Sequence, residues 1–101
     1  GEYVFYVCSD DQGQFFLSNT DSRQTEELRV TNNLSGRRLW TEGARSDPIF
    51  LERGKRYWFR GLFKEGHVGD HFAVAWQPPG QRPPKDGARP IPGLFLSPAE
   101  E

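Results

Sequence analysis

The chain has 101 residues, which is the size of one small domain. Its 13 basic and 14 acidic side chains give a net charge of -1, so it lacks the concentrated positive charge that nucleic-acid binding requires. Aromatic residues make up 14% of the chain, and this favours sheet packing over a helical bundle. No apolar stretch reaches the length of a membrane span. We therefore expect neither a nucleic-acid partner nor membrane insertion.

The only cysteine, Cys8, lies inside an apolar run. A single cysteine cannot form a disulfide within the chain, so its presence does not indicate the redox compartment. We expect it to be buried and to behave as a small apolar side chain.

The first part of the chain predicts two strands joined by a polar turn. The apolar run Tyr3–Cys8 has β-branched or aromatic residues at both odd and even positions, which is typical of a central strand covered on both faces. The turn Asp10–Gly13 and the return run Gln14–Ser18 follow, so we predict a β-hairpin.

Turn-rich segments separate the remaining strand predictions, and no helical period is present. These strands are Glu26–Thr31, Ile49–Leu51, Arg56–Phe63 and Phe72–Trp76. Residues 77–101 are rich in proline and glycine, which suits a closing segment on the surface, held to the core by Ile91, Leu94, Phe95 and Leu96. The pattern predicts an all-β, antiparallel β-sandwich or barrel.

The adjacent carboxylates Asp10 and Asp11 have two readings. They can belong to a plain polar turn with solvated side chains. They can also begin a metal site, because calcium prefers several carboxylate and carbonyl oxygens. The residues alone leave both readings open.

Four blocks of the chain, in order, resemble the PA14 domain family. They are the strand and paired aspartates of Tyr3–Ser18, the strand entry Pro48–Tyr57, the strand–loop–strand Lys64–Trp76 and the closing run Ile91–Pro98. The resemblance implies one PA14-like β-sandwich domain over residues 1–101, with further strands expected before Gly1. Such domains occur in bacterial toxins, yeast adhesins and glycosidases.

The resemblance also implies a calcium site that binds a sugar. The metal ligands carried over are Asp10, Asp11, Glu65, His67, Gly69 and Asp70, where Glu65 stands in place of the Asn of the adhesins. The residues expected at the sugar are Asp10, Asp11, Gln12, Trp40 and His67. Trp40 lies in an irregular stretch, so we expect its ring to be exposed.

Other chemistries fit the sequence less well. A zinc site made of His67, His71 and Cys8 would need the two histidines on a helix, but their segment contains glycines. Adjacent carboxylates in one turn do not flank a glycosidic bond as a hydrolase requires, so we expect no catalysis. Asn33-Leu34-Ser35 fits the N-glycosylation pattern, which matters only in a secreted protein.

The predicted function is therefore a non-catalytic, calcium-dependent carbohydrate-binding module of a larger secreted or cell-surface protein. Its expected partners are a glycan and the other domains of that protein. The alternative is a structural or protein-interaction β-sandwich module, accessory to a glycosidase or glycosyltransferase.

Overall fold

The computed structural model describes residues 1–10, 12–33, 35–63 and 71–92, with the side chain of Phe63 excepted. This part of the chain forms seven strands and one 3-10 turn at Arg23–Thr25. The strands are β1 (Glu2–Asp10), β2 (Gly13–Ser18), β3 (Glu26–Asn32), β4 (Ala44–Arg45), β5 (Ile49–Phe50), β6 (Phe59–Phe63) and β7 (His71–Gln77).

The strands form two antiparallel sheets. In the first sheet β1 pairs along one edge with the short strands β4 and β5, and along the other edge with β7. In the second sheet β2 lies between β3 and β6. The all-β prediction is therefore confirmed, and β1 and β2 are the central strands.

The inner core lies between the two sheets. Successive side chains of a strand point to opposite faces, and the odd-numbered residues of β1 face the second sheet. The inner core consists of Phe5, Val7, Phe15, Leu17, Val30, Ile49 and Leu51, all buried.

The other face of β1 carries a second apolar group, the outer cluster of Tyr6, Cys8, Trp40 and Ala75. Two irregular segments, residues 36–43 and 85–88, cover it; we call them the outer cover. The expectation that β1 is covered on both faces is confirmed. Cys8 is completely buried, and this burial raises the pKa of its thiol.

Hydrogen bonds join the two segments of the outer cover. The indole Nε1 of Trp40 donates to the Ala88 carbonyl at 2.9 Å, and the Gly87 amide donates to the Arg38 carbonyl at 2.7 Å. The carboxylate of Asp86 accepts from the amide of Thr41 at 2.9 Å and from its hydroxyl at 2.7 Å. Backbone groups that lack a sheet partner are satisfied in this way.

The predicted hairpin of β1 and β2 is wrong. The two strands belong to different sheets, and the turn between them crosses from one sheet to the other. Both strands carry large apolar residues on one face, and these faces oppose each other across the inner core. The rings of Phe5 and Phe15 stack with their centroids 5.1 Å apart.

The strand predicted over Arg56–Phe63 begins at Phe59. The preceding residues make other bonds: the Tyr57 hydroxyl accepts from the Glu52 amide at 2.8 Å, and the Trp58 amide donates to the Thr20 carbonyl at 3.0 Å.

Residues 78–92 form no strand and lie partly over the outer cluster and partly against the inner core. The Ile91 amide donates to the Val74 carbonyl at 3.0 Å, and its side chain packs on the inner core, as predicted. Leu94, Phe95 and Leu96 lie outside the described residues. The part of the chain that the structure describes contains no helix with the length and apolarity needed to cross a membrane.

Candidate metal and sugar site

The β1 strand ends at Asp10, directly beside the start of β7. Asp10 pairs with His71 in the antiparallel ladder, and residues opposite each other in such a ladder point to the same face, with Cβ atoms roughly 5 Å apart. The Asp10 side chain is half-buried. Asp10, the first expected ligand, therefore lies next to His71, which directly follows the expected ligand Asp70 in the sequence.

The residues that follow the aspartate turn begin β2 in the second sheet, next to the end of β6. Gly13, the first residue of β2, pairs with Phe63, the last residue of β6. Phe63 and His71 flank residues 64–70, the second expected ligand segment. Both flanks of that segment thus lie beside the flanks of the aspartate turn, at one end of the molecule.

A buried polar network supports this end. The Asn32 amide nitrogen donates to the Ser9 hydroxyl at 2.8 Å and to the Ser35 hydroxyl at 3.1 Å. The Ser9 amide also donates to the Ser35 hydroxyl at 3.1 Å, and the Ser35 amide donates to the Ser9 carbonyl at 2.9 Å. Buried polar groups are stable only when bonded in this manner, so the network joins the end of β1 to the end of β3.

Because Gly13 has no side chain, the Phe72 ring and the Ser9 side chain can lie close to the backbone at the start of β2. A Cβ atom at this position would lie 2.8 Å from the Phe72 ring and 2.9 Å from the Ser9 Cβ. Both distances are shorter than normal carbon contacts, so a side chain here would push the turn away from β7.

Gln12 is exposed next to the turn. Its amide nitrogen donates to the side-chain oxygen of Asn33, which is also exposed, at 3.3 Å. Gln12 is thus placed at the surface, as a residue expected to contact a sugar must be.

The expectation that Trp40 is exposed is wrong. Its side chain is only 2% exposed because it packs against Tyr6 and Cys8 beneath the outer cover. The ring packs within the outer cluster, and the indole N–H donates to the Ala88 carbonyl. Trp40 therefore offers no ring face to a sugar.

The remaining expected ligands, Asp11, Glu65, His67, Gly69 and Asp70, lie outside the described residues. Within residues 1–10, 12–33, 35–63 and 71–92, no group of three or more His, Cys, Asp or Glu side chains is placed to hold a metal ion. Asp10 is the one expected metal ligand among the described residues, and its carboxylate is of the hard oxygen type that calcium prefers.

The sequence did not predict the buried hydrogen bonds among Ser9, Asn32 and Ser35 beneath the site. Ser9 continues the inward-facing alternation of Phe5 and Val7, so a polar side chain at that position signals a buried hydrogen bond. Its partners Asn32 and Ser35 are 23 and 26 residues away, and no local pattern identifies them. The Nδ1 of His71, beside the expected ligand segment, is buried and has no hydrogen-bond partner among the residues that the structure describes.

No protein-family model and no solved structure matches this chain. The resemblance to PA14 domains therefore depends on the sequence motifs alone.

Proposed function

We propose that this protein is a PA14-like β-sandwich that acts as a non-catalytic, calcium-dependent carbohydrate-binding module of a secreted or cell-surface protein. One observation supports this most directly. The backbone pairs Asp10 with His71 and Gly13 with Phe63, so the two segments expected to supply ligands begin and end side by side.

The chemistry of this end of the molecule agrees with the proposal. Calcium takes six to eight oxygen ligands in a flexible geometry, and Asp10, Asp11, Glu65 and Asp70 would supply carboxylates from two adjoining segments. The hydroxyls of a bound sugar would complete the coordination. Gln12, exposed beside the turn, would donate or accept a hydrogen bond to the sugar.

Calcium titration during thermal unfolding tests the metal site. A ligand present at one hundred times its dissociation constant stabilises the folded state by about 2.7 kcal/mol, so we expect Tm to rise with calcium but not with magnesium at equal ionic strength. Asp10→Asn combined with Asp11→Asn should abolish the rise. Asp21→Asn combined with Asp47→Asn, at exposed positions away from the turn, should retain it.

A rise in Tm that persists in the Asp10 and Asp11 variant would overturn the proposed site, as would no rise in the wild type. A glycan array with and without a calcium chelator then tests sugar binding. Calcium binding without chelator-sensitive glycan binding would leave the protein as a structural or interaction module.

A further inference from the structure

Two buried serines bond to the backbone of β1 in the same way. The Phe5 amide donates to the Ser46 hydroxyl at 3.0 Å, and the Ser46 amide donates to the Phe5 carbonyl at 2.8 Å. The Ser9 amide donates to the Ser35 hydroxyl at 3.1 Å, and the Ser35 amide donates to the Ser9 carbonyl at 2.9 Å. Ser35 and Ser46 are 4% and 5% exposed, so the same pair of bonds is made at the same depth.

The two serines differ in what lies next to their bonds. Phe5 lies within the apolar run of β1, and its ring packs in the inner core. Ser9 directly precedes Asp10, which is the last residue of β1 and the first expected calcium ligand. The bonds from Ser35 therefore hold the backbone directly beside that ligand, whereas the bonds from Ser46 hold the backbone farther along the strand.

The segment that contains Ser35 also contacts both sides of the aspartate turn. Before the turn, the Asn32 amide nitrogen donates to the Ser9 hydroxyl at 2.8 Å and to the Ser35 hydroxyl at 3.1 Å. After the turn, Asn32 pairs with Gly13 in the β2–β3 ladder. The residues on either side of the turn are thus held by one short segment of the chain.

We propose that Ser35 is a positioning residue of the calcium site. It is buried and acts through Ser9, whose two peptide groups it bonds, so that the backbone holds the Asp10 carboxylate in place for the ion. Ligands bind well only when neighbouring bonds hold them within about 0.5 Å of the productive geometry. The inference rests on the calcium-binding function proposed above and adds to it a residue that touches neither the metal nor the sugar.

Ser35→Ala and Ser46→Ala form a matched pair of variants. Each removes a buried hydroxyl that accepts a bond from an amide of β1, so we expect similar losses of Tm. Calcium affinity of the full chain, measured by titration calorimetry, should fall about tenfold or more in Ser35→Ala and stay within about twofold of the wild type in Ser46→Ala. Trimethylamine N-oxide in all titrations favours the folded state, and circular dichroism checks that both variants are folded.

A second measurement is made without calcium. The order parameter of the Asp10 amide, from NMR relaxation, should fall in Ser35→Ala and keep its wild-type value in Ser46→Ala. The inference is overturned if the two variants have equal calcium affinities or an equally ordered Asp10 amide, because Ser35 would then act only on the stability of the fold. That result leaves the proposed function intact. A wild type that binds no calcium overturns the proposed function, and the inference with it.

Discussion

The two faces of the β1–β7 sheet are covered in different ways. On the inner face, Phe5 and Val7 pack against Phe15 and Leu17 of a second sheet, side chain against side chain. On the outer face, the outer cover of residues 36–43 and 85–88 lies over Tyr6 and Cys8. It contributes one large ring, Trp40, and is joined mainly by hydrogen bonds.

The difference reflects the backbone of each covering element. A strand of the second sheet satisfies its backbone groups within that sheet, so its side chains are free to pack without directional bonds. An irregular segment has no such ladder, and its backbone needs specific partners. We therefore expect the inner face to depend on packing volume, and the outer cover to depend on a few bonds and to open locally before the sheets separate.

Removing volume from the inner face should have the largest effect. Phe15 is 2% exposed, and truncating a buried phenylalanine costs about 3–5 kcal/mol, a large part of the stability of a small domain. We expect Phe15→Ala to lower the urea midpoint severely or to prevent folding. Phe50, 66% exposed on β5, is the matched control, and Phe50→Ala should change stability by no more than about 0.5 kcal/mol. Equal losses in the two variants would contradict the comparison.

The sequence predicted the strands better than their partners. The uninterrupted apolar run of β1 indicated a strand covered on both faces, because neither set of alternate residues is polar. The short polar turn Asp10–Gly13 between two apolar runs suggested a hairpin. Pairing depends on which faces can meet, however, and the Phe5 and Phe15 faces meet across the inner core.

Contacts between residues that are far apart in the sequence explain the other differences between the predictions and the structure. The burial of Trp40 depends on Ala88, 48 residues later, so the irregular sequence around it gave no periodic signal. Asp10 is the last residue of β1 and Gln12 follows two positions later, so their closeness follows from the chain itself and their role at a ligand stays a prediction. Their support from Ser9, Asn32 and Ser35 follows from tertiary structure rather than from any local pattern.

Removing one bond from the outer cover should have a smaller, local effect. Trp40→Phe keeps an aromatic ring but removes the N–H that binds the Ala88 carbonyl. The loss of one neutral hydrogen bond costs about 1 kcal/mol, and the part of the buried ring that is removed adds to this cost. We expect the Gly87 amide, which donates to Arg38, to exchange its hydrogen faster, while the amides of the β2–β3 ladder stay protected. Equal acceleration in both regions would show that the outer cover does not open by itself.

The smallest effect should come from the charge of Asp86. Hydrogen bonds from the Thr41 amide and hydroxyl lower the pKa of its carboxyl from the ordinary value of 3.8. Because the pKa is lowered in the folded state, the carboxylate stabilises the fold above that ordinary value, and this stabilisation is lost as pH falls through the folded pKa. Asp86→Asn should therefore be less stable than the wild type near neutral pH.

The difference in Tm between wild type and Asp86→Asn should shrink as pH falls from about 6 to about 2. Asp47→Asn, at another exposed aspartate, controls for the loss of a surface charge. A difference that stays constant over this range would mean that Asp86 acts through the shape of its side chain and not through its charge. The stability of the outer cover would then be insensitive to acid over this pH range.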